Sequence, residues 1–332
     1  MQPTFHFNGS STTGTGRRNG GALECGSGSA IRGCSMTIRR SGAIWLAALL
    51  LASTSVAAEH RLQATGDATL FLPDIVSTPY SEVRLAISPD GRTLLWGSTD
   101  RPGGPGGWDI WMVRCEGSGW SKPVAVPFDT PAHEFDPAFD HDGRFVYFFS
   151  NRPGGFGGDD IYRARFDAKT ARFGKAENLG ANINTTGDEW APSPSPDGKH
   201  LLFASNGYAC ATRHDLFIAT LGDNGTWRTR PLPGEVNSAE DEFDATFVPG
   251  GIVFARSTDV DNAPISLWFA PTGTDDGYGA PVRLDNRVNV DGGWTLGPST
   301  DPQHPGVLLF SGQRTPNRGK SDIYAIPVRL GW

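Results

Sequence analysis

The chain has 332 residues, of which 43 are Gly and 25 are Pro, and its formal net charge is −7. This Gly and Pro content, without a collagen period, predicts many tight turns and few long helices. The aromatic content of 11% excludes a disordered chain. Residues 59–332 carry 24 basic and 35 acidic side chains. Because this balance repels a phosphate backbone, we expect no nucleic-acid partner.

Residues 36–58 have the order of a secretory signal peptide. Arg39 and Arg40 precede an apolar run at 43–52, and small residues follow it, with cleavage predicted after Ala58. The alternative is a membrane anchor. Ten apolar residues reach only about 15 Å as a helix, which is half of a bilayer core, so the export signal is favoured.

Residues 1–35 precede that signal, whereas a signal peptide normally begins at the N-terminus. We therefore expect 1–35 to be a disordered extension that is non-native or untranslated, with Met36 as the true start. The mature chain, 59–332, is predicted to be periplasmic or secreted, to lack a membrane span and to be a monomer.

A ten-residue motif recurs along the rest of the chain, running from a Glu to a Gly nine positions later. The copies step by 52, 55 and 53 residues and lie at 82–91, 134–143, 189–198 and 242–251, with a fifth, degenerate copy near Trp294. Each is followed by a β-rich run, a polar connection, a second β-run that opens like Asp-Ile-Tyr, and an outer segment. Four short strands per unit are typical of a β-propeller blade.

The number of blades follows from the length. Five units of about 53 residues nearly fill the 274 residues of 59–332, so we predict one all-β domain of five four-stranded blades. Six blades, with one unit unrecognised, is the alternative. The last unit stops after Asp322-Ile-Tyr324 without an outer strand. We expect the N-terminal segment around Thr69–Pro73 to supply that strand and so to close the ring.

The succession of Ser-Pro-Asp-Gly, Leu-Leu-Phe and Asp-Ile-Tyr resembles the TolB-like, WD40-like (PD40) β-propeller repeat over nearly all of residues 82–327. The resemblance implies an exported propeller. Such repeats serve as protein-interaction modules, as peptidoglycan-associated periplasmic components or as lids on prolyl-oligopeptidase-type hydrolases. A propeller hosts unrelated activities, so the resemblance is weak evidence for function.

Recurring carboxylates are the best candidates for a site, because the sequence contains no nucleophile elbow, zinc helix or P-loop. They are expected at one channel mouth, where each Glu would enter an innermost strand and each Asp would share the Glu's face two residues later. The candidates are Glu82, Glu134, Asp136, Glu189, Glu242 and Asp244. This ring could hold Ca²⁺ or attract a basic peptide. Alternatively, each Glu accepts backbone N–H bonds or pairs with an Arg of the adjacent blade.

Two functions from different classes remain open. The first is a non-catalytic exported scaffold that binds a protein or a cell-wall component and requires no cofactor. The second is a glycoside-active enzyme in which Asp136, Asp244 and a ring Glu converge in the channel as acid and base. The absence of catalytic motifs favours the scaffold.

Overall fold

The computed structural model describes residues 61–211, 213–273 and 277–331, and within these ranges the chain forms strands and turns without a helix. The signal peptide and the extension before it lie outside the described residues. The first strands along the chain are β1 (Arg61–Ala64) and β2 (Thr69–Leu70), which belong to the last blade.

Blades 1 and 2 follow in chain order, and each is an antiparallel sheet. Blade 1 contains β3 (Ser81–Ile87), β4 (Thr93–Thr99), β5 (Trp108–Glu116), β6 (Gly119–Trp120) and β7 (Val124–Ala125). Blade 2 contains β8 (Glu134–Phe139), β9 (Phe145–Ser150), β10 (Asp160–Asp167) and β11 (Arg172–Asn178). In both, the first strand is innermost and the last is outermost.

Blades 3 and 4 repeat this order. Blade 3 contains β12 (Glu189–Pro194), β13 (His200–Ser205), β14 (Asp215–Leu221) and β15 (Trp227–Pro231). Blade 4 contains β16 (Asp241–Val248), β17 (Gly251–Ser257), β18 (Ser266–Pro271) and β19 (Val282–Arg283). The tight turns predicted after each innermost strand are present, and Gly91, Gly143, Gly198 and Gly250 all have positive φ there.

Blade 5 joins the two ends of the chain. It contains β20 (Thr295–Asp301), β21 (His304–Gly312) and β22 (Asp322–Gly331), and β1 pairs with β22 from Arg61↔Gly331 to Ala64↔Val328. The predicted segment takes part as well, because Thr69 and Leu70 pair with Ala325 and Tyr324. Closure by the N-terminal strand and the count of five blades are thus confirmed.

The innermost strands contact one another in the cyclic order β3, β8, β12, β16, β20 and back to β3. The apolar residues of each blade face those of its neighbours, and the interior is fully buried at positions such as Trp96, Phe148, Phe203, Phe254 and Phe310. This stacking covers blade faces that a single blade would expose to water. No helix of the described residues is long and apolar enough to cross a membrane.

Every innermost strand has one residue in the left-handed region, at the same repeat position. These residues are Arg84, Asp136, Ala191, Asp244 and Gly297, with φ between 50° and 59°. The pairing of each innermost strand with the next strand slips at this point. A β-bulge of this kind re-aims side chains, and here it decides which ones face the axis.

Candidate ligand-binding funnel

A cavity of about 570 Å³ opens on the side of the ring where the innermost strands begin, and we call it the entry funnel. Its size is within the range of small-molecule sites. A second cavity of about 490 Å³, the exit funnel, lies on the other side and is lined by residues after the bulge and by the turns. The two funnels share no lining residue.

An apolar girdle forms the wall of the entry funnel. It consists of the five residues that immediately precede the bulge residues: Val83, Phe135, Trp190, Phe243 and Leu296. Because side chains alternate along a strand, these residues point to the axis while the flanking position points into the blade. The repeat therefore places one apolar side chain from each blade around the channel.

The bulge residues follow the girdle along each innermost strand, and those of blades 2 and 4 form the floor of the entry funnel. Two of these residues, Asp136 and Asp244, line the entry funnel, whereas Arg84 lines the exit funnel. Arg84 is 2% exposed, and its Nη2 lies 3.4 Å from the carbonyl oxygen of Pro192 and 3.3 Å from that of Ala245. The guanidinium thus bridges blades 3 and 4 from blade 1 and separates the funnels.

The two floor carboxyls have different surroundings. Asp244 Oδ2 accepts a hydrogen bond from the Gly297 N–H at 2.8 Å. Asp136 Oδ1 has no hydrogen-bond partner among the described residues, although Asp136 is only 5% exposed. Burial raises the pKa of both carboxyls, and the charge of Asp244 raises that of Asp136 further.

Asp159 and Trp190 form a third polar feature of the wall. The Trp190 indole N–H donates to Asp159 Oδ2 at 2.8 Å, and its ring stacks on His214 with centroids 3.9 Å apart. Burial raises the pKa of Asp159 to about 6. A second aromatic pair, Trp108 and His133, stacks at 5.0 Å on the same rim. These contacts hold the rim side chains in fixed orientations.

The four repeated glutamates lie inside the blades and do not line the entry funnel; each is 0% exposed. Each accepts hydrogen bonds from the backbone N–H and the hydroxyl of the Thr or Ser four residues earlier. For Glu189 these distances are 2.8 and 2.6 Å, and Ser205 donates a third bond at 2.7 Å. The corresponding donors are Thr78 for Glu82, Thr130 for Glu134 and Ser238 for Glu242.

Two of these glutamates also pair with arginine. Arg152 Nη2 lies 2.9 Å from Glu134 Oε1, and Arg256 Nε lies 2.8 Å from Glu242 Oε1. Both arginines belong to the same blade as their glutamate, not to the adjacent one. The expected shared face of Glu and Asp does not occur, because the bulge turns Asp136 and Asp244 to the axis while the Glu points into the blade.

Burial raises the pKa of Glu82 to about 8, and it also raises those of Glu189 and Glu242. The oxygens of these carboxyls are occupied by protein donors. Calcium binding at this mouth stays a prediction. Within the described ranges, one group of carboxylate and imidazole atoms has metal-like spacing, Asp140, His141 and Asp142, and it lies at the exit funnel.

Sequence reasoning missed Asp159 and the tryptophans of the wall. Asp159 precedes the repeated Asp-Ile-Tyr opening, and the residues at that position in blades 1 and 5, Trp108 and Ser321, also line the entry funnel. The signal that could have identified them is the variation at one position inside an otherwise repeated motif. Residues that maintain the blades recur in every repeat, whereas residues that bind a ligand differ between repeats.

Neither a family model nor a curated protein matches the chain. Solved structures with a similar fold include a thermostable family-43 glycoside hydrolase, at 11% identity and a TM-score of 0.52, covering 80% of this chain and 93% of that one. The endo-arabinase from Bacteroides thetaiotaomicron is 13% identical with a TM-score of 0.50, and the match covers 80% and 99%. TolB from Acinetobacter baumannii is 14% identical with a TM-score of 0.46, over 76% of this chain.

The match to that TolB spans only 55% of its chain. At these identities the likeness concerns the fold alone. The protein is a five-bladed β-propeller, as the repeat predicts.

Proposed function

We propose that this chain is an exported, non-catalytic binding propeller that takes a segment of a protein or cell-envelope partner into the entry funnel. One observation carries the proposal. The funnel is a concave site with an apolar girdle and a closed floor, and that floor holds a buried carboxyl oxygen with no donor among the described residues. Apolar pockets with a few convergent polar groups are the usual form of binding sites.

The division of roles between the carboxylates supports this proposal. The repeated glutamates are used to build the blades, since their oxygens accept bonds from Thr, Ser and Arg of the same repeat. The carboxylates that face the funnel are the ones that differ from blade to blade. Export rests on the signal-peptide pattern of residues 36–58, and fractionation of expressing cells tests it.

A pull-down with a matched pair of variants tests the binding function. Trp190→Ala removes a wall of the entry funnel, whereas Phe247→Ala removes an aromatic ring from the exit funnel. We expect an envelope component that binds the wild type to be lost with W190A and retained with F247A, provided that both variants melt as cooperatively as the wild type. No captured component, or equal loss with both variants, would contradict the proposal.

A glycoside-active enzyme is the second candidate, and one observation favours it. Asp136, Asp159 and Asp244 line the same funnel, and burial raises the pKa of each, that of Asp159 to about 6. A carboxyl with a raised pKa can act as a general acid near neutral pH. Turnover on any member of a polysaccharide panel, lost with Asp159→Asn, would support this candidate; no turnover on the whole panel would remove its support.

Calcium binding by the propeller is tested separately. A calorimetric titration of the chelator-treated protein with CaCl₂ would show saturable heat and a raised melting temperature if the carboxylates hold the ion. Absence of both effects at millimolar calcium would contradict it.

A further inference from the structure

The charged side chains that line the entry funnel are almost all negative. The carboxylates are Asp100, Asp136, Asp159, Asp188 and Asp244. Among the described lining residues, Lys320 is the only Lys or Arg, and it lies exposed at the rim. A concave surface with acidic side chains favours cations. A cation at the floor would favour the ionised form of Asp136, whose pKa burial raises.

Asp136 gives this charge a specific target at the floor. It is 5% exposed, and among the described residues Oδ1 has no hydrogen-bond donor. The positive charge of the neighbouring Arg84 lowers the pKa of Asp136 in part, but its Nη2 donates to the carbonyls of Pro192 and Ala245 and not to Asp136. A buried acceptor without a donor is unfavourable, and a ligand that brings a donor removes that penalty.

The girdle above Asp136 is suited to an apolar stem. Phe135, Trp190 and Phe243 surround the path to the floor. The Trp190 ring cannot swing freely, because it stacks on His214 and its N–H bonds Asp159. Aromatic faces attract organic cations as well as alkyl chains. A long side chain that ends in a positive charge matches this succession of apolar wall and acidic floor.

We propose that the group inserted into the entry funnel is a lysine or arginine side chain of a protein segment, with its alkyl stem in the aromatic girdle and its cation at Asp136. This inference rests on the proposed binding function and names the ligand class of the same site.

A metal ion fits this position less well than an organic cation. Asp244 Oδ2 is already engaged with the Gly297 N–H, and the girdle side chains offer carbon surface, not oxygen. Calcium prefers six to eight oxygens. A Lys or Arg stem, in contrast, gains from contact with that carbon surface.

The test uses three capped tripeptides that differ only at the central residue: acetyl-Gly-Lys-Gly-amide, its arginine analogue and its norleucine analogue. Binding to the full chain is followed by tryptophan fluorescence, since Trp108, Trp190 and Trp294 line the funnel. We expect the Lys or Arg peptide to bind at least tenfold more tightly than the norleucine peptide. Asp136→Asn should reduce this ratio to below threefold.

Asp142→Asn is the matched control, because Asp142 is an exposed carboxylate beside the exit funnel, and it should leave the ratio unchanged. If D136N does not fold as the wild type does, Asp188→Asn at the rim of the entry funnel replaces it, with a smaller reduction expected. Equal binding of norleucine and lysine peptides would overturn the proposal. So would tighter binding of glucosamine than of either cationic peptide, or a calcium titration that depends on Asp136 and displaces the peptides.

The two proposals fail in different ways. If an envelope partner is lost with Trp190→Ala but the cationic peptides bind no more tightly than the norleucine peptide, the binding function is supported and the Lys or Arg ligand is contradicted. If the cationic peptides bind more tightly but no envelope partner is found, the ligand class is supported and the binding function is contradicted.

Discussion

Asp129 is a carboxylic acid at a position where three other blades have asparagine. Asn184, Asn237 and Asn289 each accept a hydrogen bond from a strand N–H through Oδ1 and donate from Nδ2 to the carbonyl of the same strand residue. Asp129 Oδ2 accepts the Ile110 N–H at 3.0 Å, but Oδ1 lacks a partner among the described residues. Burial, helped by the charges of Glu134 and Asp109, raises the pKa of Asp129 to about 9.

We therefore expect Asp129→Asn to stabilise the protein at neutral and alkaline pH. The pKa of Asp129 is about 9 in the folded state against an ordinary value of 3.8, so the folded state holds a proton that the unfolded state loses. The free energy of unfolding of the wild type then falls as pH rises from about 4 towards 9. Asparagine removes this loss and adds a hydrogen bond worth about 1 kcal/mol.

The measurement is urea denaturation of D129N and wild type at pH 4, 7 and 9. The difference in unfolding free energy should be smallest at pH 4 and largest at pH 9. Asp223→Asn is the control, since its side chain is exposed. A pH-independent difference, or destabilisation at pH 9, would contradict the assignment.

The orientation of individual side chains in the site was the feature least predictable from the sequence. Asp136 and Asp244 were predicted from their place two residues after a repeated Glu. The positive φ that turns them to the axis has no residue signature, because the five positions hold Arg, Asp, Ala, Asp and Gly. Backbone strain of this kind is maintained by the surrounding ring and not by local preference. The same bulge separates the glutamates from the funnel.

At the scale of the element, four blades share an arginine that lies over two aromatic rings. The guanidinium carbon of Arg152 lies 4.9 Å from the Tyr162 ring centroid and 5.2 Å from that of Phe148. The other arginines are Arg101, Arg256 and Arg314. In blade 3 a tyrosine, Tyr208, stacks on Phe217 at 4.3 Å instead.

The sequence only partly predicted this repeated contact between an arginine and two aromatic rings. The Arg-Pro-Gly-Gly connections that begin at Arg101 and Arg152 are alike. Arg314 also stands two residues after its strand but lacks that motif, and Arg256 lies inside β17. A search for the motif therefore does not find all four arginines. The strands themselves were predicted well because apolar runs and Gly turns repeat with a nearly constant step.

We expect Arg152→Ala to cost about 3 kcal/mol of unfolding free energy, because it leaves the buried Glu134 without its cation. The change also removes the Arg152 Nη2 bond to the Phe128 carbonyl and the contact with Tyr162. Arg144→Ala is the control: this Arg pairs with Asp142 at 2.5 Å, but its side chain is 68% exposed, and such pairs contribute at most about 1 kcal/mol. Chemical denaturation of both variants compares the costs, and equal costs would contradict a stabilising role for the Arg152–Glu134 pair.

At the scale of the whole molecule, the length and the repeat step were sufficient to predict a five-bladed ring. The closing strand was less well predicted, since the segment around Thr69–Pro73 contributes only β2, and the longer pairing is made by β1. β1 has four residues of alternating burial, and such a short run does not stand out in a sequence. Its place is fixed by the free edge of β22, which would otherwise be exposed.

Closure of the ring predicts different effects for two neighbouring residues of β1. Leu62 is 8% exposed and packs in the core of blades 4 and 5, whereas Gln63, the next residue, is exposed. Leu62→Asp places a charge in that core and should cost about 3 kcal/mol or more. Gln63→Asp keeps the strand and should change stability by about 0.5 kcal/mol or less.

Urea denaturation measures both costs, and hydrogen exchange locates the effect. In L62D the amides of β22 that pair with β1, from Val328 to Gly331, should lose protection first, because the edge of blade 5 opens before the ring does. The amides of β9 in blade 2 should exchange more slowly than those of β22. If L62D unfolds at the same urea concentration as Q63D, the N-terminal strand does not hold the ring closed.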